Sequence, residues 1–281
     1  MEYKLSGFID EIAPDFAAQV SAAGRLGLKW AELRGADGRF IGDWPEERQR
    51  EMRKRLDERG IGVACLASPA GKTPAGADFE PAWERFARYC ECAHIMGARL
   101  VRVFSFYIPE GRKADEYEGL AIERLGRMAD YAEKEGLLIA HENEKGIYGD
   151  TASRCLRLAE ALRGRAFTLV FDFANFVQCG EDTREAWRLL GRYTAHFHMK
   201  DALRATGGCV PCGEGDGNVA EILREAYGAG YGGFLSLEPH LVNFAMRRQL
   251  ERADAGEGEE GDGEAAFAAA AAALRALLAG L

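Results

Sequence analysis

The sequence has no basic stripe. Its longest basic run is Arg53-Lys54-Arg55, set among acidic residues, with Arg247-Arg248 shorter still, and 45 acidic residues outweigh 36 basic ones, for a net charge of -9. A chain that tracks nucleic-acid phosphates needs clustered positive charge, so nucleic acid is excluded as a partner. The first residues, MEYKLSGFIDEIAPDF, lack a charged n-region followed by an apolar h-region, so no secretion signal is read there. No window before the tail approaches 18 uninterrupted apolar residues, and the alanine-rich tail AAFAAAAAALRALLAGL is broken by Arg275. Alanine runs form helices and make poor membrane anchors, so the expectation is a cytoplasmic protein with no membrane partner. Seven cysteines, an odd number without a secretion signal, point to reduced thiols. Cys209-Val-Pro-Cys212 lacks the second pair that a structural zinc wants, so it is read as a loop.

What is present is a rhythm. Strand-like runs at 5–10, 30–34, 61–68, 100–106, 137–142, 167–172, 194–200 and 234–238 alternate with helical patterns at 15–26, 46–59, 79–96, 116–135, 152–163, 183–190, 219–229 and 264–280. Asp15 suits a helix start, and glycine recurs just past helix ends, at Gly60, Gly97, Gly136, Gly164, Gly191 and Gly230, where a left-handed residue closes the turn. Strict alternation implies parallel strands with right-handed crossovers. Eight such units predict an α/β fold, a (β/α)8 TIM barrel, as a single domain over 1–281. An open doubly wound sheet would want a glycine fingerprint after the first strand, and FIDEIAPDF has none. The linker-like RADAGEGEEGDG, 252–263, is expected to form a mobile loop at or beside the barrel mouth.

Four consecutive runs close on a metal-ligand side chain: Glu142 in LLIAHENE, Asp172 in FTLVFDFAN, His198 in TAHFHMKD and Glu238 in GFLSLEPH. Side chains alternate faces along a strand, so Glu142 shares a face with Leu138 and Ala140, and His198 with His196 and Lys200. The polar set then faces the barrel axis at the C-terminal mouth, and His141 points away into packing. Three carboxylates and one imidazole suit a single divalent ion, Mn, Co, Mg or Zn, with positions left open for an oxygen substrate. Lys200 shares the inward face and can hold a substrate group or pair with a carboxylate. Glu32 and Arg34 share a face at the end of the second strand, as pocket floor with substrate contact or as an ion pair. His240 is inward by parity, as support or substrate contact. Phe104, Phe106 and Trp44 are aromatic core or pocket wall, and His94 is structural. The glycine loop GEGDG at 213–217 lies where many barrels hold phosphate, but Glu214 and Asp216 repel an anion, which argues for a neutral sugar or for a loop that merely turns.

The ordered series from GFIDEIAPDF through AELRG, HENEKG, FDFANF, HFHMKDA and GEGDG to LSLEPHL resembles the xylose-isomerase-like TIM-barrel superfamily of sugar isomerases and epimerases. That resemblance implies that Glu142, Asp172, His198 and Glu238 are the metal ligands and that Glu142 and Glu238 form the acid/base pair. It implies proton transfer on a sugar or sugar phosphate through a metal-stabilised enediolate. Arg204, six residues after His198, matches an arginine that contacts substrate in ketose 3-epimerases of the superfamily. Asn175 stands where they place a histidine and Tyr148 where they place a glutamate, so both depart from the pattern. An inosose-type dehydratase on the same scaffold, or a non-catalytic sugar-binding protein, are the alternatives. Endonuclease IV shares the superfamily but builds a three-zinc cluster from many histidines, and this chain has five in all. The resemblance also implies a small sugar or polyol substrate and a homodimer or homotetramer.

Overall fold

Each apolar run becomes a short parallel strand, and the eight strands pair in chain order. They are β1 (Lys4–Gly7), β2 (Trp30–Leu33), β3 (Gly62–Ala67), β4 (Leu100–Val103), β5 (Leu138–Glu142), β6 (Phe167–Asp172), β7 (Thr194–Met199) and β8 (Phe234–Leu237). The computed structural model describes residues 3–244 and 261–281. Strand β8 returns to β1 in the register Lys4 with Phe234 through Gly7 with Leu237. The joint between β1 and β2 is made by a parallel bridge from Phe8 to Glu32, so the barrel is nearly closed. No helix among the described residues is long and apolar enough to cross a membrane.

Nine α-helices are described: α1 (Phe16–Arg25), α2 (Glu46–Glu58), α3 (Glu80–Met96), α4 (Glu118–Lys134), α5 (Ala152–Ala161), α6 (Phe173–Gln178), α7 (Thr183–Leu190), α8 (Val219–Gly228) and α9 (Gly263–Ala279). Side-chain caps begin several of them. The Asp15 carboxylate accepts from the Ala18 N–H at 2.8 Å, and Asp182 and Asp262 do the same for α7 and α9. Most glycines expected to close helices are left-handed, with φ of 69° at Gly97 and 67° at Gly136. Gly191 differs. Its φ is -53° and it opens a 3-10 turn, but a Cβ there would lie 3.0 Å from the Trp187 ring, so the position needs space rather than handedness.

Strand β1 ends earlier than expected, and the chain turns through a 3-10 segment, Ile9–Glu11, that buries Asp10 and Glu11. Strand β4 ends at Val103 rather than at 106. Helix α6 was not anticipated, because six residues directly after a strand leave no amphipathic period to read. The loop expected over 252–263 falls mainly outside the described residues. Its last residues, Asp262 and Gly263, cap and open α9, which buries Phe267, Ala271, Leu274 and Leu278 and so is a core helix. Between strands and helices lies the main apolar core, where each fully buried Leu or Phe contributes roughly 1.5–3 kcal/mol. A separate small group, Cys65, Leu100, Ala140 and Val170 with Leu138, fills the barrel interior. Charged side chains occupy the rest of it.

Candidate metal centre

Glu142 ends β5, Asp172 ends β6, His198 sits one residue before the end of β7, and Glu238 follows β8. The register places Asp172 directly opposite His198, with Ser236 of β8 on the other side of His198. One ligand atom from each of Glu142, Asp172, His198 and Glu238 lies within 4.8 Å of every other. His198 Nδ1 is 3.0 Å from Glu142 Oε1, 3.4 Å from Glu238 Oε2 and 3.9 Å from Asp172 Oδ2. All four residues are buried, none more than 3% exposed.

Such crowding has an electrostatic signature. Burial pushes the Asp172 carboxyl up to about 7; Glu142 and Glu238 push the same way, while Lys200 and His198 oppose. The Lys200 ammonium lies 3.0 Å from Asp172 Oδ2 and 3.1 Å from Glu238 Oε2. Burial opposes the charge on Lys200, but Asp172 and Glu238 hold its pKa well above the usual lysine value. Asp172 divides its oxygens: Oδ1 accepts the Asn175 N–H at 2.8 Å and caps α6, whereas buried Oδ2 accepts no well-angled hydrogen bond despite the nearby ammonium. Three converging carboxylates, an imidazole nitrogen and an under-satisfied buried oxygen fit a divalent cation.

Two buried arginines orient the glutamates. Arg102 Nη1 donates to Glu142 Oε2 at 3.0 Å. Arg34 Nη1 donates to Glu238 Oε1 at 2.8 Å, while its Nε and Nη2 hold Asp10 and Glu11. The Arg34 guanidinium lies over the rings of Phe8 and Phe244, at 4.4 and 4.5 Å from their centroids. Burial raises the Glu11 carboxyl to about 8, Arg34 opposing and Glu238 and Asp10 reinforcing. Sequence reasoning passed over Arg102, Asp10 and Glu11. A lone arginine inside the apolar run LVRVF and an acidic pair after the first strand were the signals.

The remaining candidates divide. Asn175 joins the cluster, its Nδ2 donating to the Asn143 carbonyl at 2.9 Å and lying 3.4 Å from Glu142 Oε1. His240 stands beside it, its Nε2 3.4 Å from both Glu11 Oε1 and Glu238 Oε1. Glu32 is fully buried and bound to His196 and His198. It does not pair with Arg34. Arg204 is not brought to the cluster: it is exposed and donates to the Glu181 carbonyl at 2.7 Å. Tyr148 turns outward to Glu118 at 2.9 Å. Trp44 donates to the Ala36 carbonyl, Phe106 packs on Phe79, and the Phe104 ring lies beneath the Arg102 and Lys72 cations. His141 faces away from the axis, bonded to Ser105 at 2.9 Å, and burial lowers its pKa to about 3. The glycine loop wraps an internal anion: the N–H groups of Gly213, Gly215 and Gly217 donate to the Asp201 carboxylate at 3.0, 3.1 and 2.9 Å.

Comparisons with known proteins agree with this fold. The family described as xylose isomerase-like TIM barrel matches residues 20–277. The chain is 24% identical to an inosose dehydratase of Geobacillus thermodenitrificans over 181 residues, an alignment spanning 60% of each chain. It thus spans about three fifths of the length of that curated relative. Among solved structures, the IolI protein with a bound zinc atom superposes with a TM-score of 0.74 at 16% identity, covering 99% of this chain and 98% of that one. A D-tagatose 3-epimerase-like protein gives 0.73 at 15% identity, covering 99% and 97%.

Proposed function

The chain belongs to the xylose isomerase-like TIM barrel family, and from that premise we propose a divalent-metal-dependent isomerase or epimerase of sugars or sugar phosphates. One observation carries the reading. Each of two glutamates has one oxygen held by a buried arginine and the other turned into the cluster, Glu142 by Arg102 and Glu238 by Arg34. Glu142, Asp172, His198 and Glu238 would hold the cation, which when bound supplies Lewis-acid polarisation of a carbonyl, a contribution of several kcal/mol.

The chain's own groups do the rest. One glutamate takes the proton from the carbon beside the carbonyl, leaving an enediolate. The other returns a proton on the opposite face, giving the epimer, or at the neighbouring carbon, giving the isomer. Positioned carboxylates contribute roughly 10²–10⁴-fold each in this role. The arginines fix which oxygen of each glutamate faces the substrate. Asn175 Nδ2 and Lys200 Nζ are placed to donate to substrate oxygens, because both already donate into the cluster.

Identity to an inosose dehydratase favours a second reading on the same residues. After the first proton removal, a β-hydroxyl leaves as water, protonated by the second glutamate.

Elemental analysis of protein purified without chelator should find about one Mn, Co, Mg or Zn per chain, lost in the Glu142→Gln/Glu238→Gln variant. Ketoses, their phosphates and inososes incubated in deuterated water should take up deuterium beside the carbonyl. Loss of water from an inosose in place of exchange would move the assignment to dehydration. A parent protein that takes no cation even after reloading would sink both readings.

A further inference from the structure

Beneath the four-residue cluster lies a second one that the proposed reaction does not use. Glu32, at the end of β2, is fully buried between two imidazoles. His196 Nε2 is 2.8 Å from its Oε2, and His198 Nε2 is 3.3 Å from its Oε1. The register shifts between Ala31 and Glu32, and such an irregularity re-aims the side chain that follows. The His198 ring is thus gripped at both ends, Nε2 by Glu32 and Nδ1 by Glu142, with the Phe8 ring edge-on at 5.0 Å.

We infer that Glu32 is a positioning residue: it holds the Nε2–H of His198, so that Nδ1 is the nitrogen presented to the cation. The inference rests on the cation site proposed above. An ionised carboxylate only accepts, so any nitrogen bonded to it must carry the hydrogen. His196 obeys the same rule: its Nε2 faces Glu32, and its Nδ1 is buried without a hydrogen-bond partner, as a bare lone pair can be at less cost than an N–H. Glu32 therefore turns one oxygen to each ring N–H group. Ligating histidines commonly donate their other N–H to a carboxylate, and loss of that partner costs roughly 10–100-fold in metal affinity.

The rival is a second ion, because Glu32, His196 and His198 themselves bring ligand atoms within 4.8 Å of one another. Cadmium-loaded protein carrying isotope-labelled histidine separates the two. Cadmium–nitrogen coupling to His198 Nδ1, with Nε2 still protonated, is expected; coupling to Nε2 overturns the inference. Zinc titration should find Glu32→Gln weaker than the parent by roughly 10–100-fold with the apo fold intact by thermal melting. His196→Gln, which keeps the Glu32–His198 pair, should remain close to the parent. Unchanged zinc affinity in Glu32→Gln, or two zinc ions per parent chain, overturns the inference while leaving the main cation site standing. A parent that takes neither cadmium nor zinc sinks the proposed function and this inference together. Should Glu32→Gln fail to fold, the parent's coupling pattern decides the question alone.

Discussion

Arg102 stands in the apolar run of β4, only 2% exposed, with one arm on Glu142 and the other on the Ser68 carbonyl at 3.2 Å. Removing one partner of a buried pair leaves the other charge uncompensated, at a cost of roughly 3–5 kcal/mol. Arg102→Met should therefore lower the unfolding free energy of the cation-free protein, read by urea titration, by that much, and adding Glu142→Gln should recover most of the loss. A drop no larger than that of a surface substitution would remove Arg102 from this role. Its absence from the sequence reading has a definite cause. Glu142, Asp172, His198 and Glu238 were legible because strand alternation fixes which residues face inward, and all four stand at or beside the ends of runs. Arg102 obeys the same alternation, but the run was read to 106 and its interior went unsearched. Arg204 lies apart from the cluster for another reason. Counting six residues from His198 assumes a chain that stays at the mouth, whereas Asp201–Ala202 pairs with Cys209–Val210 in a hairpin and turns Arg204 outward.

Among the elements, the eight strands were legible because apolar runs alternate with longer helical patterns. What stayed hidden were segments whose shape depends on partners far away in sequence. The GEGDG loop is one. No local pattern says that its amides will close on Asp201, and only the fold brings them there. A Cβ at Gly215 would lie 2.5 Å from Asp201 Oδ1 and 2.6 Å from the Ala202 carbonyl oxygen, both fixed atoms. Gly215→Ala should thus cost about 1–3 kcal/mol, the usual effect of forcing extra volume into a packed site. Thermal melting checks it, with the exposed Gly76→Ala as a comparison for a glycine that is not left-handed and whose Cβ meets nothing. Equal shifts for the two would show that the loop tolerates a methyl group and that the contact with Asp201 is loose.

For the molecule as a whole, the barrel interior holds charge where most barrels hold apolar filling, and its stability therefore depends on pH and on what the site carries. The Asp172 carboxyl, raised by burial to about 7 from the ordinary aspartate value, favours the cation-free fold at low pH. That contribution is fully present below the unfolded value and is lost as pH rises through about 7. A cation needs the carboxylate, so its affinity should run the opposite way. It should weaken as pH falls below about 7, approaching tenfold per unit, and zinc titrations between about pH 5.5 and 7.5 would read this directly. A flat profile would mean that Asp172 is already ionised without the cation. At a hundredfold excess over its dissociation constant, the cation should add about 2.7 kcal/mol to unfolding.

One carboxylate ties this interior to the rim. While Asp172 Oδ2 faces the cluster, its Oδ1 fastens the first turn of α6, and the last residue of that helix, Gln178, grips the Gly207 carbonyl at 2.7 Å and receives the Lys145 ammonium at 2.9 Å. Helix α6 is thus a short lever with its fulcrum in the barrel and its free end between two loops of the entrance. Through that one carboxylate, an unbroken line of contacts runs from the floor of the site to its doorway.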